Sequence, residues 1–178
     1  MQRRSALKTI LATVVFFFFI LSLATAQTKS PAPNYRSRIT DLYNIINSHL
    51  RDSATGLFYE TDSTVNENTH SWLWPLCAYI QAANEMESLD PDGTYMQPVL
   101  QAIERYYSPH SPAPAYQDYP RQERESSRFY DDNQWIAIAL LDAWNRTHKE
   151  EYLRKAKMIY RFMLTGMDTV TGGGLYWK

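Results

Sequence analysis

Two consecutive carboxylates stand in the segment Phe129-Tyr130-Asp131-Asp132-Asn133-Gln134-Trp135, where a long proline-bearing stretch meets a strongly apolar one. Asp is favoured at the cap and first turn of a helix, where it meets backbone N–H groups and the positive end of the dipole. One aspartate accounts for a cap; a second adds like-charge repulsion. The same setting can also split two acids apart. A helix end lowers a carboxyl pKa, while a neighbouring negative charge and burial raise it. One ionised and one protonated carboxyl is the pair that glycosidic bond cleavage needs. In retaining enzymes the two groups stand about 5–5.5 Å apart and one attacks the sugar carbon. Capping and catalysis both remain open at this point. No histidine or third carboxylate adjoins the pair in sequence, so neither a metal nor another cofactor is expected.

The residues around the pair suit a sugar. Tyr116, Tyr119, Phe129, Tyr130 and Trp135 gather near it. Aromatic faces pack on the apolar faces of pyranose rings, and amides such as that of Asn133 hold hydroxyls. His70, Trp72 and Trp74 form a second group at a helix start, and Tyr176 with Trp177 a third after Gly172-Gly173-Gly174. Any one of these groups can be core. Three of them, each at a loop–helix boundary, favour a binding cleft. Cys77 is the only cysteine, so the chain has no internal disulfide, and the thiol reads as a buried apolar group.

The elements that must carry these residues are helices. Tyr35, Ile39, Leu42, Ile46 and Leu50 make one stripe at helical spacing. Polar residues at 61–68 break the pattern. A second helix is expected at 71–87, with Pro75 tolerable in its first turn, and a third ends near 107. Residues 108–128 have four prolines and no period; a connection of that length is usually functional or disordered. A fourth helix, 132–146, is apolar nearly all round and should be surrounded by protein. A fifth spans 150–164, with Gly166 at its end. No strand alternation of useful length occurs. The fold class is all-α, and the fourth helix asks for more neighbours than four helices supply, so the chain reads as the front part of a larger helical domain.

The N-terminus carries a different signal. Arg3, Arg4 and Lys8 lead into an apolar run with Phe16–Phe19, ending at Ala24-Thr25-Ala26. This reads as a secretory signal peptide over 1–26, cut before Gln27, and the run is too short for a confident membrane span. Three of the 18 Lys and Arg and none of the 19 Asp and Glu lie there, leaving 15 against 19, a net charge of −4. Such a balance argues against a nucleic-acid partner. The exported product is expected to be periplasmic or secreted, without a stable membrane span, and a monomer.

The string Tyr130-Asp131-Asp132-Asn133-Gln134-Trp135, the Tyr152-Leu153 helix and Gly172-Gly173-Gly174-Leu175-Tyr176-Trp177 together resemble glycoside hydrolase family 76, the endo-α-1,6-mannanases. Thr69-His70-Ser71-Trp72-Leu73-Trp74-Pro75 resembles the family's second helix. The resemblance implies an (α/α)6 toroid of twelve helices, of which this chain holds about the first five. It implies a retaining reaction on α-1,6-mannan, with Asp131 as nucleophile and Asp132 as acid/base. Tyr130, Asn133, Trp135, His70, Trp72, Trp74, Tyr119, Tyr176 and Trp177 are the expected substrate-binding residues. Residues 27–36 then form a flexible lead-in and 37–178 the N-terminal part of the hydrolase domain. Everything after the glycine-rich segment is missing, so the chain is expected to be a fragment or a truncated product. Two other readings stay open: a non-catalytic helical carbohydrate-binding protein, and an (α/α)6 hydrolase of unsaturated uronides, for which Arg121, Arg124 and Arg128 are the nearest cations.

Overall fold

The computed structural model describes residues 34–62 and 68–178; the expected signal peptide lies outside the described residues. Residues 39–178 form one compact unit. Among the described residues there are five α-helices. They are α1 (Tyr35–Ile45, continued by a wider π-type turn, Ile46–Leu50), α2 (Leu73–Leu89), α3 (Met96–Ile103, tightening into a 3₁₀ turn at Glu104–Tyr106), α4 (Tyr130–Thr147) and α5 (Glu150–Thr165). None is long and apolar enough to cross a membrane.

The boundaries follow local chemistry. Pro75 lies in the first turn of α2, where its missing N–H breaks no helical bond. His148 takes a left-handed conformation (φ 55°) that ends α4, and its N–H closes on the Trp144 carbonyl at 2.7 Å. Lys149 then turns the chain into α5, making a tight helical hairpin. A core of Leu73, Ile80, Val99, Ile103, Ile136, Leu140 and Ile159 joins α2, α3, α4 and α5. In the π-type turn, Ile46 and Leu50 pack against this core, while Ile39 and Leu42 face outward.

Four side-chain bonds set the relation between α2 and α4. Cys77 Sγ donates to the Asp132 carbonyl (3.3 Å), Gln81 Nε2 to the Trp135 carbonyl (3.0 Å), and Arg146 to Asn84 and Glu87 (2.9 Å each). The partners advance in the same order along both helices, so α2 and α4 run parallel. Their N-termini therefore lie at one end of the core.

Two expectations gain detail. Helix α4 is not enclosed on every side: Trp135 and Leu141 are exposed, and with α5 it borders an apolar groove lined by Leu141, Tyr160, Met163, Leu164 and Leu175. Residues 108–128 are also ordered. Strand β1 (Tyr107–Ser108) pairs antiparallel with β2 (Ala115–Tyr116), in the register Tyr107 to Tyr116, and Gln117 beyond it is wholly buried. Two-residue strands are too short to leave an alternation in the sequence.

Candidate active site

The acid pair lies inside the first turn of α4, not at its cap. Phe129 is the N-cap and makes no side-chain capping bond. Asp131 Oδ1 accepts the N–H of Asp132 (3.0 Å), and Asp131 Oδ2 accepts Trp177 Nε1–H (3.2 Å). Asp131 is half-buried. Asp132 is 5% exposed, and no hydrogen bond reaches its carboxyl among the described residues. Burial, then the charge of Asp131 and then that of Asp118, push the Asp132 carboxyl up to about 7. The two acids thus meet different surroundings one residue apart. The parallel helices also bring two N-terminal, electropositive ends to this region, which favours one ionised carboxylate.

A polar clamp fixes the turn from behind. Asn133 is fully buried; its Oδ1 accepts the Tyr116 N–H (2.9 Å), and its Nδ2 donates to the carbonyls of Tyr116 and Phe129 (2.8 Å each). The amide expected to hold a sugar instead ties β2 to α4, with both N–H donors spent. Tyr130 plays a similar part. Its ring stacks on Phe162 (4.5 Å, 15°) and its hydroxyl bonds Thr165 (3.1 Å), leaving it 8% exposed. A Cβ added to Gly166 would stand 2.3 Å from this ring, so only glycine allows the approach.

The glycine-rich segment returns to the same place. The Tyr130 N–H donates to the Trp177 carbonyl (3.0 Å), and the Trp177 ring tilts against Phe129 at 4.8 Å. Trp177, Tyr176 and Trp135 are exposed. Tyr176 directs its hydroxyl to Asp168 (3.2 Å). Asp168 organises this turn: it also accepts N–H bonds from Val170 (2.8 Å) and Thr171 (3.0 Å) and a short bond from the Thr171 hydroxyl. Those bonds, Val170 first, hold the Asp168 carboxyl below the usual range.

The group around α2 divides. Trp72, the N-cap of α2, meets the edge of buried Tyr119 at 5.1 Å, and the Arg124 guanidinium lies over both rings, 4.7 and 3.9 Å from their centroids. His70 is enclosed: Nδ1 bonds Glu123 (2.5 Å), Nε2 lies 3.5 Å from Asp52, and Tyr59 stacks on the ring. At 5% exposure it ties these loops together. Trp74 is exposed on α2.

The structure adds a residue that the linear sequence passes over. Asp118, thirteen positions before the pair, returns through β2 to the same end of the core and acts electrostatically on Asp132. Its signal is faint because the link runs through the Asn133 clamp, which no periodicity reports.

The family model of glycosyl hydrolase family 76 matches residues 20–178. No curated protein matches the chain. Among solved structures, a family 76 α-mannanase of Bacteroides thetaiotaomicron is 29% identical with a TM-score of 0.67, over 83% of this chain and 41% of its own. A family 76 mannosidase from the same organism is 21% identical with a TM-score of 0.68, over 82% and 41%. An inactive α-1,6-mannanase of Salegentibacter sp. HEL1_6, with two consecutive aspartates changed to asparagine and α-1,6-mannotriose bound, is 20% identical with a TM-score of 0.62, over 82% and 38%. This chain spans about two fifths of the length of these proteins. Its helices form part of an (α/α)6 toroid, and the chain belongs to glycosyl hydrolase family 76.

Proposed function

We propose that the chain carries the acid pair of an exported, retaining hydrolase of α-1,6-linked mannan. The observation that carries this is the asymmetry of neighbouring carboxyls. Asp131 is half-solvated and bonded to Trp177, while Asp132 is buried, unbonded and pushed up to about 7. Asp131, ionised, attacks the anomeric carbon. Asp132 gives its proton to the departing glycosidic oxygen, leaving a mannosyl ester on Asp131. Water then attacks the anomeric carbon, Asp132 takes a proton from that water, and the bond to Asp131 breaks, releasing it as carboxylate. The mannanase inactive when two consecutive aspartates are changed, with its bound α-1,6-mannotriose, supports a site built on an aspartate pair and this linkage.

Exposed Trp135, Tyr176 and Trp177 are placed to meet sugar faces, and Trp177 additionally orients Asp131. The uronide reading is less well supported, because each of its three arginines is engaged: Arg121 with Glu125, Arg128 with the carbonyls of His110, Ser111 and Ala113, and Arg124 over aromatic rings. Asp131→Asn and Asp132→Asn should each remove mannan hydrolysis while leaving the helical signal intact. Near-normal turnover in either would end this assignment, and mannan affinity without turnover in the parent protein would favour the binding-protein reading. For export, mass spectrometry of the secreted product should find Gln27 at its start; retention of residues 1–26 would count against it.

A further inference from the structure

Asp118 is held by its backbone at both ends. Its N–H donates to the Ser127 carbonyl (2.8 Å), and its carbonyl accepts the N–H of Leu73, the first residue of α2 (2.8 Å). One helical turn along α2, Cys77 reaches the carbonyl of Asp132. Residues four apart lie on one face, about 6 Å apart along the axis. Asp118 is therefore fastened at the N-terminal end of α2, and Asp132 beside the helical turn that follows. A second route gives the same answer: Tyr116, two residues before Asp118, is clamped by Asn133, one residue after Asp132.

The side chain is not used by the fold. Asp118 is only partly buried; its Oδ1 is sealed and no hydrogen bond reaches its carboxyl among the described residues, and the carboxyl of Asp132, a buried residue, is also unbonded. The titratable groups facing Asp132 are Asp131 on α4, Asp118 on the loop and Cys77 on α2, whose thiol burial holds neutral. No cation stands among them. Buried acceptors without donors are costly, and the cost is recovered when a donor arrives. A pyranose offers hydroxyl donors and no charge, which suits a site already rich in carboxylate.

Resting on the mannan reading above, we propose that Asp118 is a third carboxylate of the site, accepting a hydrogen bond from a hydroxyl of the mannosyl unit bound against Asp131. Its charge also keeps the neighbouring acid protonated, so one residue contributes to both substrate affinity and the alkaline limit of activity.

The test is Asp118→Asn, with Asp118→Ser as a second variant, measured on α-1,6-mannan beside Asp131→Asn and Asp132→Asn. Asp118→Asn keeps size and both backbone bonds, so thermal unfolding should move little. kcat/KM should fall by roughly 10- to 100-fold, mainly through KM, and the alkaline limb of the pH profile should move to lower pH. A role confined to the fold would move neither the KM–kcat split nor that limb. If the Asp131 and Asp132 variants lose activity while both Asp118 variants keep kcat/KM within about twofold and the limb unmoved, this inference alone is overturned. If the Asp131 and Asp132 variants keep normal turnover, the hydrolase reading falls and takes this one with it.

Discussion

Asp132 and Asp168 are buried to nearly the same extent, at 5% and 7% exposure, yet they are opposite in chemistry. Asp168 sits in a turn built for it, with two backbone N–H groups and two hydroxyls directed at its oxygens, and its acidity is strengthened. Asp132 sits in the first turn of a helix with no donor to its carboxyl, and burial with the charges of two other acids weakens its acidity to about 7. Burial alone therefore says nothing about charge state; the count of donors decides it. A satisfied carboxylate fastens a loop. An unsatisfied one is a proton reservoir whose cost the rest of the fold must bear.

The sharpest way to break this contrast is Asp132→Asn. Turnover on mannan should fall by about 10³-fold or more, yet the protein should become more stable at pH 8. The sign follows from linkage. A carboxyl whose folded pKa lies above its unfolded value stabilises fully below about pH 4 and loses that contribution as pH rises towards 7. Carrying the charge at pH 8 costs roughly 2–4 kcal/mol, so the neutral amide should raise Tm by several degrees there. A lower Tm at pH 8 would mean that Asp132 is not an uncompensated buried acid. The same titration should make kcat decline as pH rises through about 7, as proton donation is lost.

Asn133→Ala attacks the frame instead of the charge. It removes three buried bonds and should cost about 2–4 kcal/mol, seen as a lower denaturant midpoint. By loosening β2 against α4 it should also let water reach Asp132 and move the alkaline limb to lower pH. Asp168→Asn should lower Tm at neutral pH, with the difference from the parent shrinking as pH falls through the carboxylate range; a constant difference would count against a depressed pKa. The smallest effect is expected from Trp177→Phe, which keeps an aromatic face but deletes the donor to Asp131. A loss of about 3- to 10-fold in kcat/KM with unchanged Tm would separate orientation of the nucleophile from stability.

Much of the scaffold is visible in the residues. Apolar spacing places α2, α4 and α5 within about two residues of where they occur, and Pro75 and Gly166 mark ends correctly. The acid pair stands out because a helix start needs only one of its two charges and aromatic residues flank both. The roles of its flanks are less visible. Tyr130 and Asn133 adjoin the pair in sequence but turn into the core, since consecutive helical residues point about 100° apart. Asp118 and Trp177 reach it only through tertiary bonds. Glycine-rich and proline-rich segments carry no period, so nothing local says that one returns to the helix start and the other delivers a carboxylate there.

Gly166 has a consequence far from its own turn. The hydroxyl end of the Tyr130 ring lies against it, and the residue after Tyr130 is Asp131. A methyl group at position 166 would have to lift that ring, and the lifted ring would tilt the opening turn of α4 that carries both acids. The hydrogen atom at this glycine thus acts as a spacer for the reaction centre, and a sugar cleft could be lost through a position that no sugar ever meets.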